Sequence, residues 1–98
     1  MKRVNPVKSL ESARRTFALE STAVAELADK LDAQFITACE LMIAAQGRVI
    51  VTGMGKSGHI ARKIAATLAS TGTPAHFVHP GEASHGDIGM ITGQDVVV

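Results

Sequence analysis

The sequence has no tryptophan, no tyrosine and only three phenylalanines, so it lacks the aromatic platforms on which single-stranded nucleic acid stacks. Charge offers no substitute. Ten Lys and Arg stand against nine Asp and Glu, a formal net charge of +1, with no basic run, which argues against nucleic acid as a partner. The single cysteine, Cys39, allows no internal disulfide and suits a reducing compartment. No apolar run approaches the roughly 20 residues that span a bilayer, and Met1-Lys2-Arg3 is followed by polar and charged residues rather than an apolar signal core. The expectation is a soluble, cytoplasmic protein without a membrane partner. At 98 residues the chain is one domain at most and short for a complete doubly wound sheet. Its last residues, Asp95-Val96-Val97-Val98, form a β-branched run of the kind that makes a central strand with a further loop and helix behind it. Part of a longer protein is therefore expected.

What the sequence does contain is a strand, a glycine turn and a helix in succession. Val49, Ile50 and Val51 are contiguous and β-branched, which suits a strand of a parallel sheet buried on both faces. Gly53, Gly55 and Gly58 permit a sharp turn with bare backbone N–H groups. Ile60, Ala61, Ile64, Ala65 and Leu68 then recur at helical spacing, so a helix amino terminus aims its unpaired donors back into the turn.

Several ligands could use such a turn. Gly53-x-Gly55-x-x-Gly58 satisfies a dinucleotide fingerprint, but the acidic residue expected about 20 positions later is met only by Glu82, which falls late, and Lys56 sits awkwardly where backbone must press on a pyrophosphate. A Walker A loop fails because Ile50 stands where a glycine is required. A small phosphorylated metabolite fits, with Lys56 as cation and Ser57 as hydroxyl donor. A plain strand-to-helix turn with Lys56 solvated also fits.

Elsewhere, Ser9 is a candidate cap for a long first helix whose apolar stripe is Leu10, Phe17, Val24 and Leu31, with Ala13 and Leu27 alongside. Arg14, Arg15, Glu20, Glu26 and Lys30 fall largely off that stripe, on a solvated face. The stripe could serve a core or a second subunit. Asp32 is expected to cap a second helix with Phe35, Ile36, Cys39, Met42 and Ile43 facing the core and Gly47 ending it. Cys39 reads as a small buried hydrophobe. Gly72 stops the third helix and Thr73-Pro74 prevents its continuation. Strands are expected over 75–78 and 95–98, separated by a glycine-rich loop with one helical turn. His59, in the first turn of the third helix, could face an anion in the loop, although a solvated position is the favoured expectation, and His76 is expected to be structural.

Three segments together carry a family resemblance: Gly53-Met54-Gly55-Lys56-Ser57-Gly58-His59, Ser70-Thr71-Gly72-Thr73-Pro74, and His79-Pro80-Gly81-Glu82-Ala83-Ser84-His85-Gly86-Asp87. In order and spacing they resemble the sugar isomerase (SIS) domain of D-arabinose 5-phosphate isomerases, over nearly the whole chain and most strongly from Arg48 onward. The resemblance implies an α/β fold in which residues 1–98 form the amino-terminal part of one SIS domain. Two helices precede a partial doubly wound, Rossmann-like parallel sheet, and no CBS domains are present. It implies an aldose–ketose isomerase acting through an enediolate on D-ribulose 5-phosphate and D-arabinose 5-phosphate, for Kdo and lipopolysaccharide synthesis. Lys56 and His85 match its catalytic lysine and histidine. Gly55, Ser57, Gly72, Thr73, His79 and His85 are the expected substrate contacts, and His79 is associated with zinc, expected to be adventitious or inhibitory rather than catalytic; no cofactor is required. A homo-oligomer, dimer or tetramer, is implied. The family's second phosphate loop, a catalytic glutamate and a further histidine match nothing up to Val98, so the chain alone is expected to be inactive. The alternative is a non-catalytic SIS module that senses a phosphosugar or mediates assembly.

Overall fold

The computed structural model describes residues 1–98, which divide into two compact units, residues 1–35 and 36–98. In the first unit helix α1 spans Pro6–Ala28. It begins a turn earlier than Ser9 would place it, because Asn5 caps it: its Oδ1 accepts from the Lys8 N–H at 3.1 Å, and Pro6 at the first position has no N–H to leave unpaired. Ser9 is already inside the helix. Leu31 lies past the helix end, so the stripe within α1 is Leu10, Phe17 and Val24 with Leu27; each is more than half exposed.

Helix α2 spans Ala33–Ala44, capped as expected by Asp32, whose Oδ1 accepts from the Gln34 N–H at 2.9 Å. Its inner face is narrower than the hydropathy suggested. Cys39 and Met42 are half-buried, whereas Phe35, Ile36 and Ile43 are at least half exposed.

The second unit is built on strand β1, Val49–Val51, where all three residues are buried. It is the centre of a parallel sheet ordered β2-β1-β3, with β2 at Ala75–Phe77 and β3 at Val96–Val97. Val49 pairs with both Ala75 and Val96, and Val51 with Phe77. Helix α3, Gly55–Ser70, crosses from β1 to β2 and covers the face that carries Val49 and Val51. Ala61 and Ala65 make that contact, with Leu68, Phe77 and Met42 packed around it. Ile60 and Ile64 turn outward at 63% and 43% exposure. Small side chains face the strand because the helix lies close to it, as Gly58 shows below. His76 is exposed on β2, outside the core.

Helix α3 ends in a Schellman turn: Thr73 N–H reaches Leu68 O at 2.9 Å, Gly72 N–H reaches Ala69 O at 3.3 Å, and Gly72 holds φ +100°. The glycine-rich segment after β2 carries more helix than expected, a short α4 at Pro80–Ser84 and a 3-10 turn at Asp87–Met90. His79 as N-cap and Pro80 behind it start α4, and Gly86 at φ +127° ends the run.

At the opposite edge of the sheet Asp95 ties β3 to β1. Its carboxylate accepts from the Arg48 N–H at 2.7 Å and the Thr92 N–H at 2.8 Å, with the Arg48 guanidinium 4.0 Å away and the side chain 2% exposed. Those backbone donors, with the Arg48 charge, hold the carboxyl below its ordinary value of 3.8. A carboxyl depressed on folding contributes stability above its unfolded pKa and loses it as pH falls through the folded one. Asp95→Asn should therefore lower the urea midpoint at pH 7 and flatten its decline below about pH 4. An unchanged acid limb would remove Asp95 from the account.

Candidate functional site

Strand β1 is where the sheet order reverses, since β2 lies on one side of it and β3 on the other. Open α/β sheets hold ligands outside the carboxyl ends of the strands at such a point. The chain leaving β1 is sewn to both neighbours. Thr52 N–H donates to Val98 O at 2.9 Å, and Thr52 Oγ1 donates to Val78 O at 2.5 Å.

Beyond Thr52 the glycines have different duties. Gly55 adopts φ +58°, a left-handed conformation that side chains disfavour. Gly53 and Gly58 let backbone meet backbone: a Cβ on Gly58 would lie 2.6 Å from Gly53 O, and one on Gly53 would lie 3.0 Å from Ser57 C.

The helix that starts here has no cap. Met54 occupies the N-cap position and makes no side-chain hydrogen bond, whereas Asn5, Asp32 and His79 each supply one at α1, α2 and α4. The first helical bond of α3 runs from Gly58 N–H to Met54 O at 3.2 Å, and the amides of Gly55, Lys56 and Ser57 donate to no protein acceptor. Three bare donors at the positive end of a 16-residue helix make a seat for an anion.

Beside the turn is an open cavity of about 170 Å³ lined by Gly55, Gly58, His59, Arg62, Phe77 and His79. The structure thus brings together Gly55 and His79, two of the expected contacts. Lys56 and Ser57 stand in the same first turn of α3, exposed; the Lys56 ammonium is in no ion pair and the Ser57 hydroxyl in no hydrogen bond.

His79 is fixed by its cap. Its Nδ1 accepts from the Gly81 N–H at 2.9 Å, so the neutral ring carries its proton on Nε2 and acts as a donor there. His85 is exposed at the other end of α4, its backbone N–H bonded to Glu82 O and its imidazole to nothing in the chain. A zinc site does not fit these residues. No three His, Cys, Asp or Glu side chains gather at one point, and His79 has only Nε2 to offer, short of the three or four ligands zinc takes.

Gly72 and Thr73 are not brought to this edge. They line a separate cavity with Gly47 and Val49 at the amino ends of the strands, where the Schellman turn accounts for the glycine. Glu82 lies in α4 and no acid ends β2, so the ribose partner of a dinucleotide is absent.

Sequence reasoning missed Arg62, whereas His59 is exposed as expected and also lines the cavity. Positions 55, 58, 59 and 62 share one face of α3 by helical spacing, and that periodicity, extended about one turn past Gly58, was the signal available. The Arg62 guanidinium carbon sits 4.2 Å from the centre of the Phe77 ring. Phe77 in turn meets the His79 ring edge-on, with centroids 6.5 Å apart and planes at 74°.

The fold recurs among known proteins. The SIS domain family model matches residues 42–98. The arabinose 5-phosphate isomerase KdsD of Pseudomonas aeruginosa is 62% identical over 89 residues, 91% of this chain and 27% of that protein. Its Escherichia coli K12 counterpart is 56% identical over 88 residues, 90% of this chain and 27% of that protein. A solved Escherichia coli CFT073 protein in complex with arabinose 5-phosphate superposes with a TM-score of 0.88 at 44% identity, covering 96% of this chain and 50% of that one. A Listeria monocytogenes structure at 24% identity, TM-score 0.90, covers 97% of this chain and 50% of that one and bears on the fold alone. The chain spans little more than a quarter of the length of the isomerases it matches.

Proposed function

Because the chain belongs to the SIS domain family, we propose that it supplies the phosphate-binding turn and part of the catalytic apparatus of an isomerase that interconverts D-ribulose 5-phosphate and D-arabinose 5-phosphate. The observation that carries this reading is the uncapped start of α3, with the amides of Gly55, Lys56 and Ser57 free at the switch point of the sheet. The relatives named arabinose 5-phosphate isomerase and the neighbour holding arabinose 5-phosphate support the choice of sugar phosphate.

The phosphate takes the three amides and the Ser57 hydroxyl, and Lys56 adds a fixed positive charge beside them. That anchors one end of the sugar. Isomerisation then removes a proton from C1 of the ketose and protonates the C2 oxygen, giving an enediol; a proton returned to C2 and one lost from the C1 oxygen complete the aldose. His85, with no partner in the chain, is the group for proton transfer. His79 donates from Nε2 to the oxygen that becomes negative. No redox or metal cofactor is needed for these proton transfers.

A homo-oligomer working in the cytoplasm, feeding Kdo and lipopolysaccharide synthesis, completes the proposal. The exposed apolar stripe of α1 supports a second subunit, and the relatives named KdsD support the pathway.

Turnover and calorimetry with arabinose 5-phosphate, run together on the intact protein that carries this chain, test the reading. Lys56→Ala should lower kcat/KM by about 100-fold, the loss of one charged partner of the phosphate or oxyanion. Wild-type rates in that variant would count against the assignment, and binding without turnover in the unmutated protein would favour a phosphosugar sensor.

A further inference from the structure

Arg62 is the one permanent cation lining the cavity beside the turn, and it has no assigned task. Its guanidinium takes part in no ion pair, since Arg48 with Asp95 is the chain's single pair. None of its N–H groups donates to a protein acceptor, and no carboxylate is among the cavity's lining residues. An arginine left unpaired on a bare surface would be ordinary. This one is held: its guanidinium lies over the Phe77 ring at 4.2 Å, and Phe77 is itself set against the His79 ring.

From this arrangement we propose that Arg62 is a substrate-positioning residue that grips the phosphate dianion from its flank, as the second cation of the anchor. The inference rests on the sugar-phosphate reading and adds a residue to it. Arg62 shares its cavity with Gly55, the first residue of the turn whose amide is free. A guanidinium presents a rigid planar fork that meets two phosphate oxygens at once, which the point charge of Lys56 cannot do. Stacking on Phe77 fixes that fork in advance, so little freedom is lost when the anion arrives. Arg62 and Phe77 also line a second cavity, of about 290 Å³, beside Ala65, Ala69 and Ala75.

The test uses Arg62→Ala, Arg62→Met and Arg62→Lys, with arabinose 5-phosphate binding measured by calorimetry, inorganic phosphate measured as a competitive inhibitor, and KM and kcat measured separately. Met keeps an apolar stem on Phe77 and removes charge and donors, so it separates packing from phosphate contact. Ala and Met should each weaken both the sugar phosphate and inorganic phosphate by about 10- to 100-fold. The change should fall in KM, with kcat within about threefold, and Lys should recover part of the loss. Wild-type affinity in the Met variant, or phosphate inhibition unchanged in the Ala variant, would overturn the proposal. If the unmutated protein binds neither arabinose 5-phosphate nor inorganic phosphate, the sugar-phosphate reading falls, and the role of Arg62 with it.

Discussion

Gly58→Ala is expected to destabilise the protein by about 2–3 kcal/mol and to weaken arabinose 5-phosphate binding by at least about tenfold. The backbone at Gly58 is helical, so alanine meets no dihedral penalty and would gain up to about 1 kcal/mol of helix propensity. The loss comes from contact alone. The new Cβ would lie 2.6 Å from Gly53 O and 3.3 Å from Gly53 C. Both are backbone atoms of a segment tied through Thr52 to the ends of β2 and β3, so neither can swing aside as a flexible side chain would. Either the first turn of α3 lifts from β1, exposing Val51 and Ala61, or the 52–55 segment is pushed outward and the three amides diverge. Gly55→Ala makes the contrast. Nothing lies within 4 Å of its Cβ position, so its cost of about 1–2 kcal/mol is that of φ +58° alone. Urea unfolding of both variants reads the difference, and a Gly58→Ala protein as stable as wild type would show that α3 does not sit where described.

The larger effect on rate belongs to His85. His85→Ala should lower kcat by about 10²- to 10⁴-fold, the usual yield of a general acid–base group. It should leave KM within about fivefold, because that imidazole is not the phosphate anchor. Stability should be unaffected, since the side chain is exposed and bonded to nothing in the chain. His79→Ala gives the counterpoint: it removes the cap of α4 along with the Nε2 donor, so both stability and rate should fall, by about 1 kcal/mol in the first case. Wild-type turnover in His85→Ala would end the proton-transfer assignment.

Much of this architecture could be read from the sequence, and the reasons are local. A β-branched run into glycines into a helical period leaves one arrangement of strand, turn and helix. Asp32 and Gly72 are capping signals with a single mechanism each, and both appear where expected. What stayed hidden depends on distance between elements. Hydropathy favours Ile60 and Ile64 for the core, yet the tight approach at Gly53 and Gly58 admits only the alanine face of α3. Arg62 becomes visible as a site residue only when Phe77, a strand away, is seen beneath it. Glycine spacing also gave no warning that His79 would cap a short helix and so have its tautomer set. Gly72 and Thr73 lie at the far edge of this chain's sheet, where the helix stop explains the glycine by itself.

The central claim is that the uncapped start of α3 is the seat of the substrate's phosphate, and the structure of the protein with arabinose 5-phosphate bound tests it most directly. The account predicts phosphate oxygens within about 2.7–3.1 Å of the amide nitrogens of Gly55, Lys56 and Ser57. A phosphate lodged elsewhere, with those amides facing only water, would contradict it.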